Sequence, residues 1–438
     1  MNIQAPKGTK DIYGEDVLAW QWLEANIRST CDTFGFGEIR VPIFEHTELF
    51  LRGIGDTTDV VQKEMYTFND KGDRSITLRP EGTAGTARAF IEHGMHNNPL
   101  PAKLYYVGPN FRYENPQAGR FRQHHQFGVE VFGSSEPSVE AEVISLGYYL
   151  LQKLETTGVT VYINSLGCKE CHGEYRKVLQ TFAGNNLNEL CEDCRRRFDK
   201  NPLRALDCKV EKCQNVMSKA PSVLESLDEE CQTHFNTLQD LLRGMKIPFV
   251  VNPKIVRGLD YYTRTVFEFT AEGLPTVIGG GRYDGLIEQI SKGASDDDDS
   301  DNGMSVPAVG FGMGMDRLLI LLKNQDLLPE HTKYKQPPCD IYIGHAGDQG
   351  YHKAKILVNE LRNFGFSAES DLLKRSVKAQ MKYAGKRNAK LSMIIGDNEV
   401  EANSAKVKNM ETGEQSDTTL DVNAIMGIIV NETIPRSS

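Results

Sequence analysis

The chain has 438 residues, of which 39% are hydrophobic and 25% charged, with a net charge of −10. That length allows roughly two to three domains, each with its own core, and the composition is that of an ordinary globular chain rather than a disordered or membrane-embedded one. The acidic balance repels phosphate overall, so a nucleic-acid partner would need a local basic face.

The first residues, Met1-Asn2-Ile3-Gln4-Ala5-Pro6-Lys7, hold no apolar stretch and read as no signal peptide, and no later run is apolar enough to span a bilayer. Cysteines number nine, an odd count, and six of them fall between Cys168 and Cys213. Without a secretion signal this argues against a disulfide framework and for a reducing, cytoplasmic setting.

After a polar start at Pro6-Lys7-Gly8-Thr9-Lys10-Asp11, the spacing predicts a helix over Asp16 to Thr33 with Leu18, Trp22 and Ile27 on its apolar face. A strand is expected from Glu38 to Phe44. Two more, Lys63 to Asn69 and Ser75 to Leu78, are joined by the turn Asp70-Lys71-Gly72-Asp73. In Thr77-Leu78-Arg79-Pro80-Glu81-Gly82-Thr83-Ala84, Pro80 stiffens the strand exit and Thr83 can begin a helix to about Glu92. Glu81 then sits on a short rigid turn, its carboxylate placed to accept bonds from an ammonium. A capped helix start is the alternative.

Tyr105-Tyr106-Val107 and Gln126 to Phe132 read as paired antiparallel strands around the polar loop Phe111 to Arg122. Alternation puts Gln126, Gly128 and Glu130 on one strand face, either a ligand floor or a solvated sheet face. A helix from Ser138 to Glu155 and a strand from Val159 to Ile163 follow.

From Cys168 the character changes. Cys168-x2-Cys171 and Cys191-x2-Cys194 are spaced as a four-thiolate zinc site, with Cys208-x4-Cys213 beyond. Unliganded thiols are the alternative, and no metal is assigned to the functional site. A helix is expected around Val223 to Met245, then a strand at Phe249 to Val251.

Arg257-Gly258-Leu259-Asp260-Tyr261-Tyr262-Thr263-Arg264 precedes a strand at Thr265 to Phe269. One guanidinium, one carboxylate and two phenols at the mouth of an apolar strand suit a small ligand bearing a carboxylate or phosphate. A structural Arg–Asp pair with half-buried tyrosines is the alternative. Val277-Ile278-Gly279-Gly280-Gly281-Arg282-Tyr283-Asp284-Gly285-Leu286 lets a backbone pass close to a flat ligand. Ser295 to Asp301 is a like-charge block, read as a solvated loop dispensable for chemistry. Pro307 to Leu319 is an apolar, glycine-bearing strand leading into a helix opened by Asp316-Arg317.

Pro329 to Pro338 is a polar, proline-bearing boundary, so the chain divides at 1–325, a linker at 326–338, and 339–438, with an insertion at about 168–247. Beyond the linker come strand Asp340 to Ile343, helix Lys353 to Phe364, a strand near Ala368, helix Val377 to Arg387 and strand Leu391 to Ile395: a small α/β domain with a largely parallel sheet. Lys374, Arg375, Lys378, Lys382, Lys386, Arg387 and Lys390 fall together without an acid. They offer a basic face to RNA phosphates, or an ordinary solvated helix.

The runs at Arg257 and at Gly279 resemble the two signatures of histidyl-tRNA synthetases. The strand–loop–strand around Arg112 and Glu114 resembles motif 2 of class II aminoacyl-tRNA synthetases, and Pro307 to Leu319 resembles motif 3, with Asp316 where Glu is more usual. The resemblance covers essentially the whole chain. It implies an α/β (α+β) fold: a class II catalytic domain with a mixed, mainly antiparallel sheet, a helical insertion and a C-terminal anticodon-binding domain. It implies a homodimer, with motif 1 near Ile39 to Leu51 at the interface. The implied reaction uses ATP and Mg²⁺ to activate L-histidine, then passes it to tRNA(His). The implied roles are Arg112 and Arg257 on the α-phosphate, Arg112, Glu114 and Arg317 on ATP, and Glu81, Gly82, Thr83, Gln126, Glu130, Tyr261 and Tyr262 on histidine. Within the last set, Glu81, Thr83 and Gln126 hold the α-amino end, and Glu130 and Tyr262 read the imidazole. The alternative is a regulatory paralogue in histidine biosynthesis; such paralogues lack the tRNA domain and erode the motifs, and this chain keeps both. A generic RNA-binding protein would not need Glu81, Arg112, Arg257 and Arg317 together.

Overall fold

The computed structural model describes residues 3–55, 58, 60–117, 119–198, 202–206, 208, 210–255, 259, 261–274, 276–292, 303–333 and 339–433. Arg257, Gly258, Asp260, the acidic run at 295–301 and residues 334–338 of the linker lie outside them. Two compact units are present: Met1–Asp11 with Trp20–Leu328, and Ile12–Ala19 with Pro329–Ser438.

Helix α1 (Glu15–Thr33) buries Trp20, Leu23, Ile27 and Cys31. This stripe is turned from the expected one, because at 100° per residue Leu18 and Trp22 point well away from Ile27; both are half-buried. The strand expected over Glu38 to Phe44 is two, β1 (Gly37–Glu38) and β2 (Phe44–His46), which join different sheets. Pro42 between them has no N–H to give to a ladder. After α2 (Thr47–Ile54), the segment expected to begin a strand at Lys63 forms a π-helical turn, Val60–Glu64. That turn buries Val60 against Leu49, Phe50 and Ile54, and the strand β3 is only Tyr66–Asn69. With β4 (Ser75–Leu78) it completes an antiparallel three-stranded sheet, β2-β4-β3.

Next come α3 (Thr83–Glu92), β5 (Ala102–Phe111), β6 (Gln123–Phe132), α4 (Pro137–Lys153) and β7 (Val159–Ser165). The insertion carries α5 (Lys169–Gly184), α6 (Glu192–Arg197), α7 (Glu211–Met217) and α8 (Glu229–Gly244). The helix expected from Val223 is interrupted: a 3-10 turn, Val223–Ser226, precedes α8, whose start is fixed by the Asp228 carboxylate accepting from Cys231 N at 2.7 Å. The unit ends with β8 (Val250–Val251), β9 (Thr263–Ala271), β10 (Ile278–Arg282), α9 (Leu286–Ser291), β11 (Ala308–Gly314) and α10 (Met315–Asn324).

Among the described residues, eight strands form the main sheet in the order β1-β5-β6-β11-β10-β9-β7-β8. Only β1–β5 and β7–β8 are parallel, so the sheet is mixed and mainly antiparallel. Alternation along β6 sends Phe127, Val129 and Val131 to one face and Gln126, Gly128 and Glu130 to the other. Phe127 packs edge-on against Phe311, and Gly147 of α4 lets that helix close over Ile278, Phe269 and Phe311. The opposite face is left for a cavity. A fully buried pair, Arg282 with Glu140 at 2.6 and 2.7 Å, pins β10 to α4, and His234 of α8 adds a 2.7 Å contact to the same carboxylate. Breaking such a pair leaves an uncompensated buried charge, so it fixes the packing even where its net stabilisation is small.

The second unit holds β12 (Ile341–His345), α11 (Gly347–Asn363), β13 (Ala368–Glu369), α12 (Val377–Lys386), β14 (Leu391–Ile395), α13 (Asp397–Ala402), β15 (Ser404–Asn409), β16 (Gln415–Thr419) and α14 (Val422–Thr433). Its sheet runs β13-β12-β14-β15-β16. The first three strands are parallel, but β15 and β16 are antiparallel, so the sheet is mixed rather than largely parallel. The connection between β15 and β16 turns at Gly413, φ +81°, and is too short for a parallel crossover. Ile341, Ile343, Leu357, Leu361, Leu391 and Ile425 centre its core.

Candidate functional site

A cavity of about 320 Å³ opens on the free face of the main sheet. Gln126 of β6, Gly312 and Gly314 of β11, Gly279 of β10 and Glu268 of β9 contribute to its floor. Its walls come from Glu81 and Thr83 at the head of α3, the loop after β5 with Arg112 and Glu114, the tyrosines Tyr261 and Tyr262, and Arg317 of α10.

Glu81 is buried, and its two carboxylate oxygens accept from Thr83 N at 2.5 Å and Ala84 N at 2.9 Å. It therefore caps α3 and lines the cavity at once. Burial raises its pKa, while those two N–H bonds and nearby Arg112 pull the other way. The Thr83 hydroxyl donates to Glu130 Oε1 at 2.7 Å, and the Tyr106 hydroxyl to the same oxygen at 3.2 Å. Tyr283 donates to Glu130 Oε2.

Glu130 is fully buried, one layer behind the cavity wall that Thr83 and Tyr106 form. Burial pushes its carboxyl up to about 8, with Glu81 adding to the rise and the hydroxyls of Tyr283, Thr83 and Tyr106 opposing it. Tyr106 fits because two residues lack side chains. A Cβ on Gly82 or on Gly128 would come within 2.2 Å of its ring. That is the structural need behind Gly82. Gly310, paired with Glu130 across the strands, clears space for the carboxylate in the same way.

Arg112 donates through Nε to Pro80 O at 2.8 Å, which fixes the plane of its guanidinium beside the cavity. Glu114 faces Arg120 at 3.2 Å. Arg317 bridges the two sides, giving Nε to Gly119 O at 3.1 Å and Nη1 to Thr276 O at 2.6 Å. Burial, with Arg112 and Arg317 nearby, pushes the pKa of His124 down to about 3, so it stays neutral in a positively charged lining. Gln126 accepts from Asn110 at 2.6 Å. Tyr283 meets Tyr261 and Tyr262 edge to face, and Tyr261 and Tyr262 lie tilted against each other with ring centroids 4.7 Å apart. Asp316 does not face the cavity as a free acid. Lys10 pairs with it at 2.9 Å and His125 N donates to it at 2.9 Å, which docks the N-terminal segment on α10.

The cavity thus gathers Glu81, Thr83, Gln126, Tyr261, Tyr262, Arg112, Glu114 and Arg317. It also exposes what the sequence reading passed over: Tyr106, His124, Glu268 and Thr276 all line it. The glycine at 128, opposite a tyrosine in an expected strand pair, was the available signal for Tyr106.

The two Cys-x2-Cys pairs do not share a site. Cys191 and Cys194 converge with Cys208 and Cys213, and Cys168 and Cys171 converge with Cys231 and Asp228. Each pair gathers with different partners, so the four-thiolate group of Cys168, Cys171, Cys191 and Cys194 does not form.

A family model described as Histidyl-tRNA synthetase matches residues 8–318, and one described as Anticodon binding domain matches residues 341–432. The chain is 49% identical over 424 residues to the histidine–tRNA ligase of Acetivibrio thermocellus, covering 96% of this chain and 98% of that protein. It is 50% identical over 421 residues to that of Clostridium novyi, covering 96% and 97%. Among solved structures, the crystal structure of apo Staphylococcus aureus histidyl-tRNA synthetase matches with a TM-score of 0.80 and 37% identity, over 97% of this chain and 99% of that one.

Proposed function

The chain belongs to the histidyl-tRNA synthetase family, and from that premise we infer how its cavity works. It is a ligase of histidine and tRNA that uses ATP. The histidine carboxylate attacks the ATP α-phosphorus, pyrophosphate leaves, and the histidyl group of the adenylate then moves to a ribose hydroxyl at the tRNA 3′ end as AMP departs. Such displacements need positioning and charge neutralisation rather than covalent help.

Arg112, its guanidinium plane held by Pro80 O, meets the α-phosphate. Arg257 joins it by resemblance. Arg317 meets the γ-phosphate, and Glu114 helps hold ATP. Mg²⁺ bound with ATP supplies charge neutralisation on the phosphates, and Glu114 and Glu268 are cavity-lining carboxylates with the hard oxygens that would hold it. Glu81, Thr83 and Gln126 take the α-amino end of histidine. Its imidazole goes to the cluster in which Glu130 stands behind Thr83 and Tyr106, with Tyr262 on the other ring nitrogen. Neutral imidazole has one donor and one acceptor, so a site that offers the Thr83 and Tyr106 hydroxyls, held by Glu130 behind them, and the Tyr262 phenol rejects rings that lack them.

The observation that carries this reading is the convergence, in one cavity, of Glu81, Thr83 and the Glu130 cluster with Arg112 and Arg317. Glu130→Gln tests it: kcat/KM for histidine is expected to fall by roughly one to three powers of ten while the KM for ATP barely moves. Unchanged histidine kinetics, or a loss confined to ATP, would contradict the assignment.

The second unit supplies the tRNA contact. Ile43, Phe44 and Leu51 of motif 1 are exposed large hydrophobic residues, which supports a homodimer through this region. No helix among the described residues is long and apolar enough to cross a membrane. We place the enzyme in the cytoplasm.

A further inference from the structure

We propose that the insertion between β7 and β8 holds two zinc ions, one on Cys191, Cys194, Cys208 and Cys213, the other on Cys168, Cys171, Cys231 and Asp228. In each group the ligand atoms all lie within 4.8 Å of one another. Sulfurs bound tetrahedrally at a Zn–S distance of about 2.3 Å stand about 3.8 Å apart. Cys168 and Cys171 are 3.7 Å apart at sulfur, and Cys191 and Cys208 are 3.8 Å apart. A disulfide would need about 2.05 Å, and all of these cysteines are free.

The surroundings suit thiolates. Backbone N–H groups point at sulfur in both groups: Cys191 N to Cys213 at 3.0 Å, Cys168 N to Cys231 at 3.2 Å, and Asp228 N to Cys171 at 3.1 Å. Donors aimed at ligand sulfurs spread their negative charge and orient them. Asp228 divides its carboxylate. Oδ1 caps α8 through Cys231 N, while Oδ2 lies 3.1 and 3.2 Å from the sulfurs of Cys171 and Cys168. A helix cap alone would not require two sulfurs against the second oxygen.

The local fold explains the need. Helices α6 and α7 have six and seven residues, too short to persist without tertiary support, and they share one small core with Leu179, Leu190 and Val216. The four-thiolate group ties these two helices together. The second group ties Cys168, at the entry of α5, to Asp228, at the entry of α8, closing the base of the insertion. Four protein ligands in each group, all thiolates but for the Asp228 carboxylate, leave no open position, which describes structural zinc.

Metal content decides the matter. The untagged full-length chain, made in zinc-supplemented medium and desalted, is expected to carry two zinc ions per chain by mass spectrometry of metals. Cys194→Ser and Cys171→Ser are each expected to retain one. Cobalt exchanged into the wild type should give the visible bands of tetrahedral thiolate coordination, a readout that does not depend on either variant folding. Fewer than two zinc ions in the wild type, two remaining in either variant, or octahedral cobalt bands would overturn the proposal.

Discussion

The Thr83 hydroxyl donates to Glu130 Oε1 at 2.7 Å, joining the head of α3 to β6 behind the cavity wall. The same residue gives its backbone N–H to Glu81 at 2.5 Å, so one threonine holds two buried carboxylates in place. Thr83→Val keeps the shape and deletes one donor. An acceptor left short in a dry site costs about 1–3 kcal/mol, so kcat/KM for histidine should drop roughly ten- to a hundredfold while the KM for ATP stays within about twofold. Steady-state exchange kinetics check this. A variant with wild-type histidine kinetics would show that the Thr83–Glu130 bond is only structural.

The Glu130 carboxyl titrates near 8 because it is buried, against an ordinary value of 4.5. Between those values the folded protein keeps a proton that the unfolded chain has released, so this residue makes stability fall as pH rises through the window. Glu130→Gln carries no charge at any pH and cannot titrate, although its amide cannot accept from all three hydroxyls as the carboxyl does. Its Tm, relative to wild type, should therefore rise as pH goes from about 5 to about 8 and level off above that. A Tm difference that stays flat with pH would show that Glu130 is already ionised in the folded state.

Lys378, Lys382 and Lys386 stand four residues apart on the exposed side of α12. Three of their basic neighbours are otherwise engaged: Arg375 with Asp371, Arg387 with Glu369 and Lys390 with Asp340. The stripe, with exposed Lys374 before it, is thus the part of the basic run left for phosphates. Reversing all three to Glu should lower kcat/KM for tRNA charging by roughly ten- to a thousandfold and leave ATP–pyrophosphate exchange unchanged, since each lost phosphate contact weakens binding without touching the cavity. Equal loss of both activities would deny this division of labour.

The family's architecture was legible in the sequence because its motifs are local. Arg112, Arg317 and the tyrosines sit in short runs whose glycines and flanking strands could be recognised one by one. What escaped depends on contacts between distant segments. Tyr106 became a site residue only when α3 brought Gly82, and β6 brought Gly128, to either side of its ring. The role of Asp316 depends on Lys10, 306 positions earlier, which spacing within a motif cannot show. The cysteine pairs misled for a related reason. Equal spacing suggested one site, but the fourth member of one group is a carboxylate, Asp228, and nothing in a Cys-x2-Cys pattern points to it. Glu38 to Phe44 looked like a strand by residue type, and the missing N–H of Pro42 was a cue present in the sequence that pointed the other way.

Histidine-dependent exchange of pyrophosphate with ATP, run on the purified full-length chain against a panel of all the protein amino acids, tests the central claim most directly. The reading of the cavity as a histidine-activating site requires exchange with histidine and background rates with every other amino acid. Exchange driven by a different amino acid, or none with histidine while ATP still binds, would contradict it.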